Sequence, residues 1–413
     1  MTTAPVAVIL GGGLAGHHAA IALRNAEFDG EVILIGAEPV RPYDRTFLSK
    51  AFMQGARESD GLFFESEDEY ADWEIDLLPS TRATAVDFAA RRLTLDSGET
   101  LGFDKLLVAT GASPVRLRQP GFDLPGVHYL RTLTDAEAIR AGIEAGTRVV
   151  VVGASFIGSE VAASARTLGA AVTLVDPVSA PMTTALGEEV GKVFAGIHQA
   201  HGVDLRMGTR VVKLRGHGRV EEAVTAEGDH IPCDLVVVGV GVRPETELFA
   251  GTGLEIDNGI VVDQFCATNV PGVYAAGDIA NWWHPSLERR IRVEHFDNAA
   301  LQGTAAGRSM AGQPEAYAPV PYFWSDQYDV NLQYAGFPGK VEEIVLRGAP
   351  ETGSVTVFYL AGGRIQGVAT INQSRDLRPA RQLIEADARI DPAKLEDQET
   401  DLRALARQIR AAR

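Results

Sequence analysis

Two glycine-rich fingerprints, Gly11-Gly12-Gly13-Leu14-Ala15-Gly16 and Gly153-Ala154-Ser155-Phe156-Ile157-Gly158, stand 142 residues apart in this 413-residue chain. Each follows an apolar strand, the continuous apolar run 6–10 or the stretch 148–152 with its four valines after Arg148, of the kind that forms a buried parallel strand. Each then opens an apolar-periodic stretch that predicts a helix, over residues 156–168 in the second case. In such a unit the first glycine permits a tight turn and the second lets backbone approach a pyrophosphate. The third allows close helix–strand packing, and the helix N-terminus meets the phosphate charge. Glu38 lies 22 residues past Gly16 and Asp176 lies 18 past Gly158. Those are the places where a carboxylate can accept hydrogen bonds from a ribose 2′-OH. One unit indicates a nucleotide; two indicate two dinucleotides on one chain, most simply a flavin and the nicotinamide that reduces it.

The second unit has Ser155 where the first has its middle glycine, which puts a small side chain on the expected pyrophosphate approach. No Lys or Arg follows Asp176 before Lys192. A 2′-phosphate beside an uncompensated carboxylate would be repelled, so NADH is expected rather than NADPH.

The two cysteines, Cys233 and Cys266, are 33 residues apart and form no CxxC pair. A thiol–disulfide flavoenzyme needs a redox-active cysteine beside its flavin, and that chemistry lacks its residues here. Both thiols are expected to be small buried side chains. The formal net charge of −17 argues against a nucleic-acid or anionic-membrane partner. Residues 1–5 carry no basic n-region and no apolar stretch approaches about 18 residues, so neither a signal peptide nor a membrane helix is expected. A cytoplasmic protein without a metal site is the expectation. His17 and His18 have no ligand companion at useful spacing.

The organisation follows from where segments must meet. Residues 105–109 read as another buried strand, and the turn-rich stretch 119–127 marks a crossing into the second unit. Residues 272–278 read as a strand ending in a Gly-Asp turn. If it returns to the first sheet, the first domain is discontinuous. The expected division is residues 1–116 and 244–321 for an FAD-binding domain, 117–243 for an NAD-binding domain and 322–413 for a smaller α+β domain. In that last part, residues 355–360 and 364–371 flank Gly362-Gly363 as a hairpin, and a helix follows over 376–386. The fold class is α/β, two Rossmann-like dinucleotide-binding domains plus a small α+β C-terminal domain.

Beyond the fingerprints, the chain carries Arg41-Pro42-Tyr43-Asp44-Arg45-Thr46-Phe47-Leu48-Ser49-Lys50, Ala109-Thr110-Gly111-Ala112-Ser113-Pro114 and Ala276-Gly277-Asp278. Glu294-His295-Phe296-Asp297-Asn298-Ala299 and Phe323-Trp324-Ser325-Asp326-Gln327-Tyr328 follow. In this order the motifs resemble the FAD-dependent NADH–ferredoxin reductases of the glutathione-reductase fold, over nearly the whole chain. Thr46-Phe47 departs from the two prolines common in that family, and Phe296 departs from its tryptophan.

The resemblance implies roles. Lys50 sits by the flavin's reactive edge, where a cation stabilises negative charge on the reduced ring, and Glu160 lies on the nicotinamide side as its partner. Asp278 hydrogen-bonds the ribityl chain, and Arg45 touches the diphosphate. Trp324 packs against the flavin ring. Gly11, Gly13, Leu14, Ala15 and Gly16 of the first fingerprint, Gly153, Ser155, Phe156, Ile157 and Gly158 of the second, Glu38, Ala109, Thr110, Gly111, Asp176, Gly241, Gly277, Glu294, His295 and Phe296 complete the cofactor contacts. Lys50, Glu160 and Trp324 are the candidate catalytic residues. The implied partner is an acidic [2Fe–2S] ferredoxin feeding an oxygenase or P450, with Arg289/Arg290/Arg292 or Arg375/Arg378/Arg381 as docking clusters. Trp282 and Trp283 are read either as loop anchors or as an apolar patch facing that partner. Two alternatives stay open on the residues alone, an NADH diaphorase or oxidase without a protein partner, and an NADH-sensing flavoprotein resembling apoptosis-inducing factor.

Overall fold

A computed structural model describes residues 4–337 and 339–411. The chain divides into two compact units, one made of residues up to Arg45, Ser59–Ser113 and Val242–Pro319, the other of Thr46–Glu58, Pro114–Gly241 and the chain from Val320 onward.

The first unit is built on a five-stranded sheet in the order Val273–Ala275, Lys105–Val108, Val6–Leu10, Glu31–Ile35, Ile75–Leu78. Every pairing in it is parallel, with Val8 opposite both Ile33 and Leu106. Unbroken apolar runs suit such strands because both faces are covered. Val8 and Leu10 pack into one core with Trp282 and Phe249, while Ala7 and Ile9 pack into another with Ala19 and Leu23. The strand Val273–Ala275 closes the sheet beside Lys105–Val108, so the sheet is assembled from segments on either side of residues 114–241. Helices Leu14–Asn25 and Phe296–Met310 approach so closely that a Cβ at Gly303 would lie 2.3 Å from the Ala15 carbonyl oxygen, and one at Gly307 2.4 Å from that of Ala19.

The second unit repeats the pattern, with parallel strands ordered Asp204–Met207, Ala171–Asp176, Arg148–Val152, Leu235–Val238, Val127–Tyr129. The fingerprint helix runs Phe156–Thr167. The same unit holds an antiparallel sheet ordered Tyr322–Gln327, Val330–Gly336, Arg364–Ile371, Ser354–Ala361, Glu343–Ala349. Its central hairpin turns at Gly362 and Gly363, both at positive φ (+56° and +72°), and helix Ser374–Glu385 follows it. Leu186, Val190 and Phe194 of helix Thr183–Ala200 pack on Leu332, Val357 and Ala369 of this sheet, and the Tyr359 hydroxyl donates to the Leu186 carbonyl at 2.6 Å. The α/β class with an added α+β portion is therefore borne out.

Candidate functional site

In the first unit the predicted residues gather at the carboxyl ends of the parallel strands, where open α/β sheets bind ligands. Gly11 has φ +132°, and a Cβ there would sit 2.1 Å from the Ala109 carbonyl oxygen; one at Gly16 would sit 2.0 Å from that of Gly11. These two glycines are walled in by backbone. Gly13 differs, since no atom lies within 4 Å of its would-be Cβ. It is the N-cap of helix Leu14–Asn25, and no side chain caps the first-turn amides there. An open, uncapped helix start fits a diphosphate.

Gly277 (φ +79°) packs against Ala15, and its N–H donates to Gln302 Oε1 at 2.9 Å. Thr110 and Gly111 are tied down through Glu245. Helix Phe296–Met310 starts from His295, again without a side-chain cap. Burial, opposed by Asp278, pushes the His295 imidazole down to about 4. Arg292 donates to the Asp278 carbonyl at 3.0 Å and pairs with Glu294 at 2.6 Å.

Glu38 and Arg45, read from the sequence as a ribose and a diphosphate contact, meet each other. Arg45 donates to Glu38 Oε1 at 2.5 Å and the Tyr43 hydroxyl donates to Oε2 at 2.7 Å. Each oxygen keeps a lone pair for a ribose hydroxyl. A cleft of about 520 Å³ lies along Gly12, Gly36, Arg41, Pro42, Tyr70 and Leu77. Of the walls named here, only Gly12 of the first fingerprint and Arg41 and Pro42 lay in a quoted motif; sequence reasoning did not find the rest.

The second fingerprint has the same geometry. A Cβ at Gly153 (φ +106°) would fall 2.3 Å from the Gly239 carbonyl oxygen, and one at Gly158 1.9 Å from that of Gly153. Ser155 does not cap its helix. Its Oγ donates to the Gly239 carbonyl at 3.0 Å, so the extra side chain folds back on the loop and leaves the helix amides open. Asp176 Oδ2 accepts from the Ala154 N–H at 2.6 Å and Oδ1 from the Val178 N–H at 3.0 Å, which fixes the carboxylate beside the fingerprint. Phe156 packs edge-on against Phe323 at 4.7 Å, Ile157 is exposed, and no atom crowds the would-be Cβ of Gly241 (φ +107°).

Lys50 and Glu160 form a buried pair in this unit. Lys50 Nζ lies 3.0 Å from Glu160 Oε1 and donates to the Thr46 carbonyl at 3.2 Å. Glu160 is only 3 % exposed. Its carboxylate also accepts from Ser325 Oγ at 2.7 Å and from Ser49 Oγ at 2.5 Å. A buried charge pair persists only when its other lone pairs are satisfied, and the two serines do this. Neither serine was singled out from the sequence. Trp324 stands on the opposite face of its strand from Ser325, half-buried and stacked on Tyr322 at 6.1 Å.

Arg290 and Arg292 of the first docking cluster have internal work. Arg290 donates to the Val262 and Asn281 carbonyls, and Arg292 is held as described. On helix Ser374–Glu385, Arg375 and Arg378 are exposed and Arg381 lies 3.6 Å from Glu385. Of the two readings of Trp282 and Trp283, the anchor fits Trp282 and the joint surface patch does not hold. Trp282 is 0 % exposed, packed on Tyr317 and His284, because alternation along strand Ala280–His284 turns only Trp283 outward. Both cysteines are buried, and burial pushes the Cys233 thiol up to about 12 and the Cys266 thiol higher than its usual range. Among the described residues no helix is long and apolar enough to cross a membrane.

Residues 6–303 match the pyridine nucleotide-disulphide oxidoreductase family and residues 322–406 the reductase C-terminal family. The chain is 38 % identical to rhodocoxin reductase of Rhodococcus erythropolis, over 97 % of this chain and 94 % of that protein. It is 41 % identical to the anthranilate 1,2-dioxygenase system ferredoxin–NAD(+) reductase component of Burkholderia cepacia, over 94 % and 96 %. The crystal structure of a covalent putidaredoxin reductase–putidaredoxin complex superposes with a TM-score of 0.95 at 33 % identity, covering 100 % of this chain and 99 % of that one. Two glycine-walled nucleotide turns and a matching C-terminal portion thus have one explanation: the chain belongs to the pyridine nucleotide-disulphide oxidoreductase family.

Proposed function

We propose that this protein is an FAD-dependent NADH–ferredoxin reductase, passing electrons singly to an acidic [2Fe–2S] ferredoxin that serves an oxygenase or P450 in the cytoplasm. The observation that carries the reading is the combination of two uncapped, glycine-walled helix starts with the buried Lys50–Glu160 pair and no reactive thiol. Residues 1–116 with 244–321 would hold FAD, 117–243 would hold NADH, and 322–413 would form the α+β domain.

The chemistry supplied by the bound pair is hydride uptake from NADH and release of the two electrons one at a time. The chain's own residues bind, orient and place charge. Main-chain amides at Leu14 and Ala15, and at Phe156 and Ile157, would meet the two diphosphates. Glu38 and Asp176 would each accept from a ribose, and Asp176, with no nearby cation in sequence, favours NADH. Lys50, held by Glu160 and the Thr46 carbonyl, would present a fixed ammonium where negative charge grows, with little reorganisation required. Arg45 would act at the FAD diphosphate, Asp278 at the ribityl chain, and Glu294, His295, Phe296 and Trp324 around the ring. Arg375, Arg378 and Arg381 are the favoured ferredoxin contacts, since Arg290 and Arg292 of the other cluster are bonded within the fold.

The test is anaerobic NADH-driven cytochrome c reduction, with and without [2Fe–2S] ferredoxins. Strong stimulation by one ferredoxin supports the reductase. A yellow protein that NADH bleaches, with no stimulation by any ferredoxin, overturns it in favour of a diaphorase or an NADH sensor.

A further inference from the structure

Glu160 is the end of a hydrogen-bond chain that reaches well beyond Lys50. Ser325 Oγ donates to Glu160 Oε1 at 2.7 Å, so its proton is committed and its lone pair accepts from Gln327 Nε2 at 3.2 Å. The second N–H of that amide points at the Met182 sulfur, 3.7 Å away. Both amide hydrogens thus have acceptors, whereas the flipped amide would set its oxygen against the thioether and leave the Ser325 lone pair without a donor. Gln327 Oε1 therefore faces His198 Nε2 at 3.0 Å, and that nitrogen must carry the hydrogen. His198 Nδ1 is then the acceptor, 3.2 Å from the Tyr328 hydroxyl. The Tyr328 ring stacks at 3.6 Å on exposed His201, where the chain reaches the surface.

In the sequence Tyr328, His198, Gln327, Ser325, each member donates to the next one towards the Glu160 carboxylate. Ser325, Gln327 and His198 are all fully buried. Burial, partly opposed by the bond to Gln327 and reinforced by His201, pushes the His198 imidazole down to about 4, which keeps it in the neutral form with one donor and one acceptor. The amide of Gln327 cannot pass a proton on as a hydroxyl does, so the chain orients and does not conduct. Its members polarise one another in a low dielectric and strengthen the last bond, the one to the carboxylate.

We propose that Gln327 and His198 are positioning residues for the reductase site, fixing through Ser325 the orientation in which the Glu160 carboxylate holds the Lys50 ammonium. The proposal rests on the role given above to Lys50 and Glu160. It assigns work to two residues 129 apart in sequence, neither of them among the cofactor contacts proposed above.

The experiment uses the FAD-loaded enzyme. In Gln327→Met and His198→Leu, flavin reduction by NADH should slow about tenfold while the NADH dissociation constant stays within about twofold, the loss expected for a weakened bond to a charged group. His198→Gln, which keeps a donor towards Gln327, should recover most of the rate. A readout independent of turnover is the histidine tautomer. With 15N-labelled histidine, His198 should appear as neutral Nε2–H near pH 7, and Gln327→Met should abolish that fixed preference. An Nδ1–H or doubly protonated His198 in the parent enzyme overturns the proposal even if no variant folds. So does a Gln327→Met enzyme that loses thermal stability but keeps its rate. Glu160→Gln separates the two layers. If it slows reduction while Gln327→Met does not, the chain is structural only; if Glu160→Gln changes nothing, the reading of the Lys50–Glu160 pair itself falls.

Discussion

Lys50 and Glu160, 110 residues apart in sequence, meet at 3.0 Å in a setting where the carboxylate is almost wholly out of water. Removing one member of such a pair leaves a buried charge uncompensated. Glu160→Leu should therefore destabilise the protein by about 3–5 kcal/mol, and the double change with Lys50→Met should restore much of that. Urea unfolding of the four forms checks it. Additive losses would mean that the two charges are not coupled.

The same pair separates stability from catalysis. Lys50→Met should slow flavin reduction by NADH without releasing FAD, because the lysine's proposed task concerns charge that grows during the reaction. Stopped-flow reduction and flavin content measured on one preparation decide this. Loss of flavin with a normal rate after reconstitution would remove Lys50 from the reactive edge.

The glycines of the first fingerprint should divide into two kinds. Gly16→Ala sets a Cβ 2.0 Å from a backbone oxygen, so the turn must open and folding itself should suffer. Gly13→Ala meets nothing within 4 Å. It should cost about 1 kcal/mol or less as an N-cap change, yet it fills the space proposed for the diphosphate. A Gly13→Ala protein that melts almost normally but purifies colourless is the expected result. One that retains FAD would move the diphosphate elsewhere.

How much of this was legible in the sequence differs between features for physical reasons. The fingerprints were legible because the glycine spacing alone dictates a strand, a tight turn and a helix start. Ser155 looked like an obstacle only because its Oγ bond to Gly239 spans 84 residues of chain. Ser49 and Ser325 were invisible as partners of Glu160, since they approach it from 111 and 165 residues away. The joint patch left open for Trp282 and Trp283 could have been set aside from the sequence, in favour of the anchor that Trp282 is. Two adjacent residues in a strand face opposite ways, and so two neighbouring tryptophans there could not share one surface.

Acid should weaken the fold through three histidines. Burial, the largest cause in each case, brings His17, His198 and His295 from 6.5 to about 4. Their folded pKa lies below the unfolded one, so between about 6.5 and 4 the unfolded chain binds more protons and stability falls as pH falls. Each contributes a slope of at most about 1.4 kcal/mol per pH unit in that window. Urea midpoints at a series of pH values should decline across it, and His17→Phe should flatten the decline. A stability independent of pH there would mean that these imidazoles are as solvated folded as unfolded.

Asp176 tests the nicotinamide side. Its carboxylate accepts from Ala154 and Val178 as well as serving the proposed ribose contact. Asp176→Asn keeps one acceptor oxygen for that loop but loses the charge. It should weaken NADH by about 1.5–3 kcal/mol, the value of a hydrogen bond to a charged group, and lessen the repulsion of a 2′-phosphate. Asp176→Ala also takes the acceptor from the Ala154 and Val178 N–H groups and should loosen the fingerprint for both cofactors alike. Adding an arginine close to position 176 on the alanine background should then favour NADPH. The ratio of kcat/KM for the two cofactors measures this directly, and a ratio unchanged through the whole series would refute the ribose contact.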